Sequence, residues 1–207
     1  YLQTALTSNI LRFKNDIKNI NMSSYDAVIT DFEPITARCG KMANIPVIGL
    51  GHQYVFDYNI PKASTDYFSK LILRDYAPAK RIIPLHWHQF NQDILPPILE
   101  DYSKFHIQLT QKLVVVYLPF ENQKLINDCL KSLTQYQFIV YSPRPIRSAH
   151  KHIQFKPLSR SGFLFDLHRC EAVIANAGFE LSSEALKLGK KLIVKPLLRQ
   201  MEQQSNA

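Results

Sequence analysis

Short apolar runs recur along the chain, and between them stand stretches whose apolar residues are spaced three and four apart. The runs fall at residues 26–30, 46–50, 112–118, 137–141, 152–155, 172–175 and 191–194. The helical spacing is found over residues 7–20, 34–43, 122–133, 161–169 and 182–188. Strand and helix alternate, which predicts an α/β protein with parallel sheets and helices packed on their faces. The alternation is interrupted over residues 52–90, and Leu95-Pro96-Pro97 reads as a stiff linker. Two Rossmann-like lobes follow from this, at residues 1–95 and 96–207, with a cleft between them and the first lobe incomplete. Open sheets of this kind bind ligands at the carboxyl ends of their strands, and both Asp31 and Gly178 fall at such ends.

Composition agrees with a globular chain. Its 207 residues, 46% hydrophobic and 20% charged, suffice for a substantial core. Cys39, Cys129 and Cys170 are odd in number and lack the spacing of a disulfide framework or metal site, which suits a reducing compartment. No run approaches the roughly 18 apolar residues of a membrane span, and Tyr1-Leu2-Gln3 does not open a charged-then-apolar leader. These features predict a cytoplasmic protein. The formal charge of +8 adds a partner to the picture. Basic residues follow aromatic and aliphatic ones between Tyr67 and Arg81, with Lys70, Arg74 and Lys80 among them, and Lys190, Lys191, Lys195 and Arg199 cluster near the chain's end. Such patches attract an anionic nucleotide, a lipid-phosphate acceptor or the inner face of a membrane. No nucleic-acid-binding motif accompanies the charge, so nucleic acid is not expected as a partner.

The richest chemistry lies after Asn176. Asn176-Ala177-Gly178 ends a strand at a glycine, which is expected to permit a tight turn and a close backbone approach to a ligand. A helix beginning at Ser182 or a neighbour would then aim its unpaired N–H groups and positive dipole end at an anion such as a diphosphate. Glu184 falls about a turn inside that helix, where a carboxylate can accept both hydroxyls of a ribose. The next strand brings Glu202-Gln203 back to the same rim. Each piece has an ordinary reading, a turn glycine, a first-turn acid and a polar helix surface; their order and spacing carry the signal.

In that order, Gly178, Ser183-Glu184, Pro196, Glu202-Gln203 and Asn206-Ala207 resemble the donor-site signature of GT-B glycosyltransferases. The resemblance is to family 28, which includes the lipid-linked N-acetylglucosaminyltransferase of peptidoglycan synthesis, and to related bacterial and archaeal glycosyltransferases. It implies an inverting transferase drawing on a nucleotide-diphosphate sugar, UDP-linked as in UDP-N-acetylglucosamine, with a lipid-linked or envelope glycan as acceptor. By this resemblance Glu184 holds the ribose, the turn from Asn176 through Ala177 and Gly178 to Phe179 holds the diphosphate, and Glu202 with Gln203 holds the sugar hydroxyls. Leu158 and Ser159 occupy the place where the family lays uracil against main chain. IPVIGLGHQ, ending at Gln53, resembles the segment that closes the acceptor lobe. The family's first strand and Gly-rich loop have no counterpart after Tyr1, which points to part of a longer protein. The same fold and ligand also serve UDP-sugar 2-epimerases and non-catalytic nucleotide-sugar-binding homologues.

Inverting transfer needs a base for the acceptor hydroxyl and a way to stabilise the departing diphosphate. Asp31, Glu33 and His52 fall at strand ends of the first lobe and are the candidate bases. Each has a plainer role open to it: Glu33 precedes Pro34 as a helix cap would, Asp31 can bind a loop amide, and His52 can be a buried hydrogen-bonded side chain. GT-B enzymes stabilise the leaving group with amides, a helix terminus and basic side chains, so no metal or other cofactor is expected. His86-Trp87-His88 offers two imidazoles without a nearby third ligand, and packing is its favoured role.

Overall fold

A computed structural model of the chain describes residues 10–63, 75–101 and 108–207. The chain divides into two compact units, Tyr1–Ile98 and Leu99–Ala207. The basic stretch from Tyr67 through Lys70 to Arg74 lies outside the described residues.

The first unit contains helix α1 (Ile10–Asn19), strand β1 (Val28–Thr30), helix α2 (Pro34–Met42), strand β2 (Val47–Gly51), a 3-10 turn (His52–Asp57) and strand β3 (Arg81–Pro84). The three strands are parallel in the order β1-β2-β3. Val28 and Val47 pack with Ala37 of α2 and Ala77 in a small core. β3 had no counterpart in the apolar pattern. It is four residues long, only partly covered, and begins at Arg81, the second residue of the charged pair Lys80-Arg81.

The second unit runs through β4 (Leu113–Tyr117), α3 (Gln123–Leu130), β5 (Gln137–Ser142), β6 (Ile153–Pro157), α4 (Arg160–Arg169), β7 (Ala172–Asn176), α5 (Phe179–Lys187), β8 (Lys191–Lys195) and α6 (Met201–Asn206). All five strands are parallel, in the order β6-β5-β4-β7-β8. Successive residues of β4 enter opposite cores. Leu113 and Val115 pack with Ile139, Val173, Leu167 of α4 and Ala185 of α5, while Val114 and Val116 pack with Phe138, Val140 and with Ile126 and Leu130 of α3. Burial on both faces is why KLVVVYL contains no polar alternation, and it gives the three-layer αβα arrangement.

Capping fixes where the helices begin. Asn122 accepts hydrogen bonds from the amides of Lys124 and Leu125 at the start of α3, and Ser159 accepts one from Gly162 at the start of α4. α5 begins at Phe179, three residues before Ser182, with Gly178 as N-cap. Ser182 is not a cap: it is buried inside the helix with Ser183.

Candidate functional site

The strands of the second unit deliver their carboxyl ends to one region. Tyr117 ends β4, Tyr141 stands next to last in β5, and the sheet register pairs the two side by side. Leu158 and Ser159 follow β6, and α5 leaves the end of β7. A cavity of about 280 Å3 opens there, lined by Tyr117, Tyr141, Leu158, Ser159, Arg160, Phe163, Glu180, Leu181 and Glu184. Three residues expected at a donor site, Leu158, Ser159 and Glu184, are thus brought together from two segments of the sequence. Glu184 shares its face of α5 with Glu180, one turn nearer the N-terminus. Phe163 meets Tyr141 edge to face at 5.2 Å and Tyr117 at 5.5 Å, forming an aromatic floor.

The turn into α5 differs in detail from its expected form. Gly178 has φ −72° and ψ 145°, which any residue adopts, so it does not serve a strained turn. A Cβ built on it would meet nothing within 4 Å. The glycine instead keeps open the space in front of the helix, where no side chain caps the terminus and the first helical bond runs from Ser182 N–H to the Gly178 carbonyl at 3.3 Å. An anion placed there meets unoccupied volume and a positive dipole end. Asn176 is buried; its amide nitrogen donates to the Lys195 carbonyl at 3.0 Å, while its Oδ1 is buried without a hydrogen-bond partner. Ala177 is held from the other side, its carbonyl accepting from the Asn206 side chain at 3.0 Å.

That last contact returns α6 to the turn, so Glu202 and Gln203 stand on a helix tied to Ala177. The Gln203 amide oxygen accepts from Leu197 N–H at 3.0 Å, which orients the side chain while engaging its oxygen locally. Ser183 departs from expectation. Its hydroxyl is buried and donates back to the Phe179 carbonyl at 2.6 Å, turned into the helix and absent from the cavity lining. Phe179 is likewise buried, so its contribution to the turn is its backbone.

In the first unit the three candidate bases occupy different settings. Asp31 leaves β1 beside a cavity of about 670 Å3 that it lines with Phe13, Phe32, Glu33, Arg38 and Tyr76 among others. A Cβ at Gly51 would collide with the Asp31 carboxylate, so the glycine lets that group lie against the end of β2. Burial raises its pKa above the ordinary carboxylate value. The next residue, Phe32, holds φ 53°, a left-handed conformation costly for an aromatic residue. Tyr54 and Tyr76, at ring distances of 5.4 and 5.3 Å, keep it there.

Glu33 is the helix cap of α2. One carboxylate oxygen accepts from Ile35 N–H and the other from Thr36 N–H, both at 2.8 Å, and the second also from the Thr36 hydroxyl at 2.6 Å. Burial pushes its pKa up, but these hydrogen bonds outweigh that and hold it below the usual range. A carboxylate so engaged is a poor proton acceptor.

His52 is buried at 3% exposure, and its Nδ1 lies 2.9 Å from the Leu85 carbonyl. A carbonyl only accepts, so Nδ1 carries the proton and Nε2 is the basic nitrogen. It lines neither cavity. Its ring packs with His86 at 5.5 Å and Trp87 at 6.0 Å. The His86-Trp87-His88 segment is held by local hydrogen bonds. His86 Nδ1 accepts from His88 N–H, and His88 Nδ1 accepts from Phe90 N–H. No group of three or more potential ligands occurs among the described residues.

The aromatic walls Tyr117, Tyr141 and Phe163, and the charged Arg160 and Glu180, were not foreseen at the site. The strand-end positions of the two tyrosines were the available signal.

A five-stranded parallel αβα unit with its cavity at the strand carboxyl ends, joined in sequence to a second parallel α/β unit, defines the GT-B class of fold. Residues 3–207 match the domain described as Glycosyl transferase family 1, and the chain belongs to that family. No curated protein matches the sequence. Among solved structures, the chain is similar to the glycosyltransferase SnogD from Streptomyces nogalater, at 13% identity and a TM-score of 0.53, covering 94% of this chain and 60% of that one. It is similar also to Arabidopsis thaliana UGT89C1 complexed with UDP, at 12% identity and a TM-score of 0.62, covering 99% and 63%. A third is the kitacinnamycin glycosyltransferase, at 12% identity and a TM-score of 0.58, covering 97% and 68%. The chain therefore spans about three-fifths of the length of the first two. No helix among the described residues is long and apolar enough to cross a membrane.

Proposed function

We propose that the protein is an inverting glycosyltransferase that takes its sugar from a nucleotide diphosphate, and that the second unit is its donor-binding half. The observation that carries this reading is the convergence of Leu158, Ser159 and Glu184 on one cavity beside the open N-terminus of α5. The base lies over the aromatic floor against the main chain at Leu158 and Ser159. Glu184 accepts the ribose hydroxyls, and the diphosphate takes the space kept clear by Gly178. Glu202 and Gln203 meet the sugar. A UDP-linked donor, as in the family 28 resemblance, is supported by the neighbour whose structure holds UDP.

The acceptor hydroxyl attacks the anomeric carbon and forms the new C–O bond. The bond to the diphosphate oxygen breaks, its electron pair leaving with the diphosphate, and the hydroxyl proton passes to a base. Asp31 suits that role best of the three candidates, since it lines a cavity and burial raises its proton affinity, while Glu33 is spent on its cap. The amides and dipole at the start of α5, together with Arg160, offset the leaving charge. A lipid-linked acceptor follows from the net charge and the basic stretch between Tyr67 and Arg81. Salt-sensitive sedimentation of the full-length protein with anionic liposomes tests it.

The central test is a calorimetric screen of the full-length protein with UDP and UDP-sugars, followed by product analysis with and without acceptor. Binding together with acceptor-dependent release of UDP is expected. Interconversion of UDP-sugars without acceptor would instead assign a 2-epimerase, and binding with neither reaction a non-catalytic homologue. Absence of nucleotide-sugar binding would end the reading.

A further inference from the structure

Asp166 of α4 is fully buried, the one buried carboxylate among the described residues, and the donor reading leaves it without a task. It gathers three donors. Tyr141 donates its hydroxyl to Oδ2 at 2.7 Å, Lys156 of β6 reaches the same oxygen at 2.6 Å, and Arg169 Nε donates to Oδ1 at 2.8 Å. Replacing a buried ionic cluster with apolar side chains is often neutral or stabilising, so stability alone is a weak account of it. Geometry offers a better one.

The first turn of α4 supplies Ser159, Arg160 and Phe163 to the cavity wall, and that turn rests on Tyr141. A Cβ at Gly162 would lie 3.2 Å from both the Tyr141 hydroxyl oxygen and Ser159 Oγ, so the helix approaches the phenol closely enough that an added methyl would have to shift it by a few tenths of an ångström. Phe163 meets the same ring edge-on at 5.2 Å. Asp166 stands one turn further along the same face of the helix. The helix is therefore fastened to β5 at two levels through one tyrosine, which is itself only 1% exposed: its ring belongs to the floor and its hydroxyl is engaged by Asp166.

We propose that Asp166 is a positioning residue for the nucleotide base: by fixing Tyr141 it fixes the Ser159–Phe163 turn against which the base is laid. This rests on the donor reading above. Burial raises the Asp166 pKa, but the hydrogen bonds from Lys156, Tyr141 and Arg169 prevail and hold it below the usual range, so the carboxylate remains the acceptor for the phenol. The diphosphate position, at the start of α5, does not depend on this turn. Loss of the anchor should therefore weaken recognition of the base and spare that of the diphosphate.

The test is Tyr141→Phe, which keeps the ring and leaves Asp166 its two cationic partners. Affinities for UDP and for inorganic pyrophosphate are measured by calorimetry on the full-length protein. UDP binding should weaken by roughly 5- to 20-fold, the part of the anchoring hydrogen bond's worth that reaches the ligand through the displaced turn, with pyrophosphate changed by less than about twofold. A merely structural role would weaken both ligands alike or neither, and either result overturns the proposal. If Tyr141→Phe does not fold, Gly162→Ala is read by the same ratio, since its methyl displaces the same turn without touching the buried ions. Wild-type protein that does not bind UDP removes the donor reading and this proposal with it. Wild-type binding with unchanged variants removes this proposal alone.

Discussion

Replacing Glu184 with alanine tests the donor site at its most specific contact. Glu184 is half-buried on the cavity side of α5, and in the proposed complex its carboxylate accepts the 2′- and 3′-hydroxyls of the ribose. A hydrogen bond to a charged group contributes about 1.5–3 kcal/mol when well formed. Partial exposure places each bond at the low end of that range, and removing the charge also relieves repulsion between the carboxylate and the diphosphate. A net loss of about 2–3 kcal/mol follows for the pair, or roughly 30- to 150-fold in Kd for UDP. The fold should tolerate the change, because alanine is the strongest helix former and position 184 lies inside α5. Titration calorimetry with UDP and 2′-deoxy-UDP supplies the control. Wild-type protein should favour UDP by about tenfold, the worth of one hydroxyl contact, and Glu184→Ala should bind the two nearly equally. Glu184→Gln, which keeps a neutral acceptor, should fall between. A Glu184→Ala variant that retained either wild-type affinity or the wild-type preference for the ribose would refute the assignment.

Three further outcomes follow from the same geometry. Gly178→Asp supplies α5 with the side-chain cap it lacks while placing a carboxylate where the diphosphate belongs; Tm should rise by roughly 2–4 °C per kcal/mol of capping gained, and UDP affinity should drop by about tenfold or more. Asp31→Asn should abolish acceptor-dependent UDP release with Tm unchanged, whereas Glu33→Ala should cost about 1–2 kcal/mol in urea unfolding through loss of the α2 cap; the reverse pattern would exchange their roles. For His86, burial first, and then the charges of His52 and His88, lower the pKa from 6.5 to about 4. The unfolded imidazole thus binds a proton that the folded one refuses, so this group's contribution to stability should fall as pH drops from about 6.5 to about 4 and level off below. Urea titrations across that window should show the slope, and His86→Asn, which keeps an acceptor for the His88 amide, should flatten it.

What the sequence disclosed about this fold was local, and what it concealed depended on register. Strands β4, β5 and β7 were legible because their apolar residues enter one or other of two cores, leaving unbroken apolar runs. β3 was not, since a four-residue strand that opens on the exposed Arg81 makes no such run. Helix α5 is expected from the sequence at Ser182 or a neighbour and begins at Phe179; Ser182 and Ser183 are buried inside it, and the glycine N-cap before Phe179 carries no side-chain cap. Glu184 could be placed from its distance to the turn because both lie on one strand-helix unit. Tyr117 and Tyr141 could not, since they become neighbours only when β4 and β5 pair with Tyr117 opposite Tyr141. Asp166 was harder still. In FLFDLHR it looks like a helix-surface acid, and it takes Lys156 from β6 and the phenol from β5, together with Arg169, to make its burial tolerable. In the proposed donor site, the parts that would bind through backbone and one helix are therefore written in the order of the chain, while the parts that line the cavity are written in the pairing of strands. A shift of one residue between β4 and β5 would leave every local signal intact and turn one tyrosine to the opposite face of the sheet.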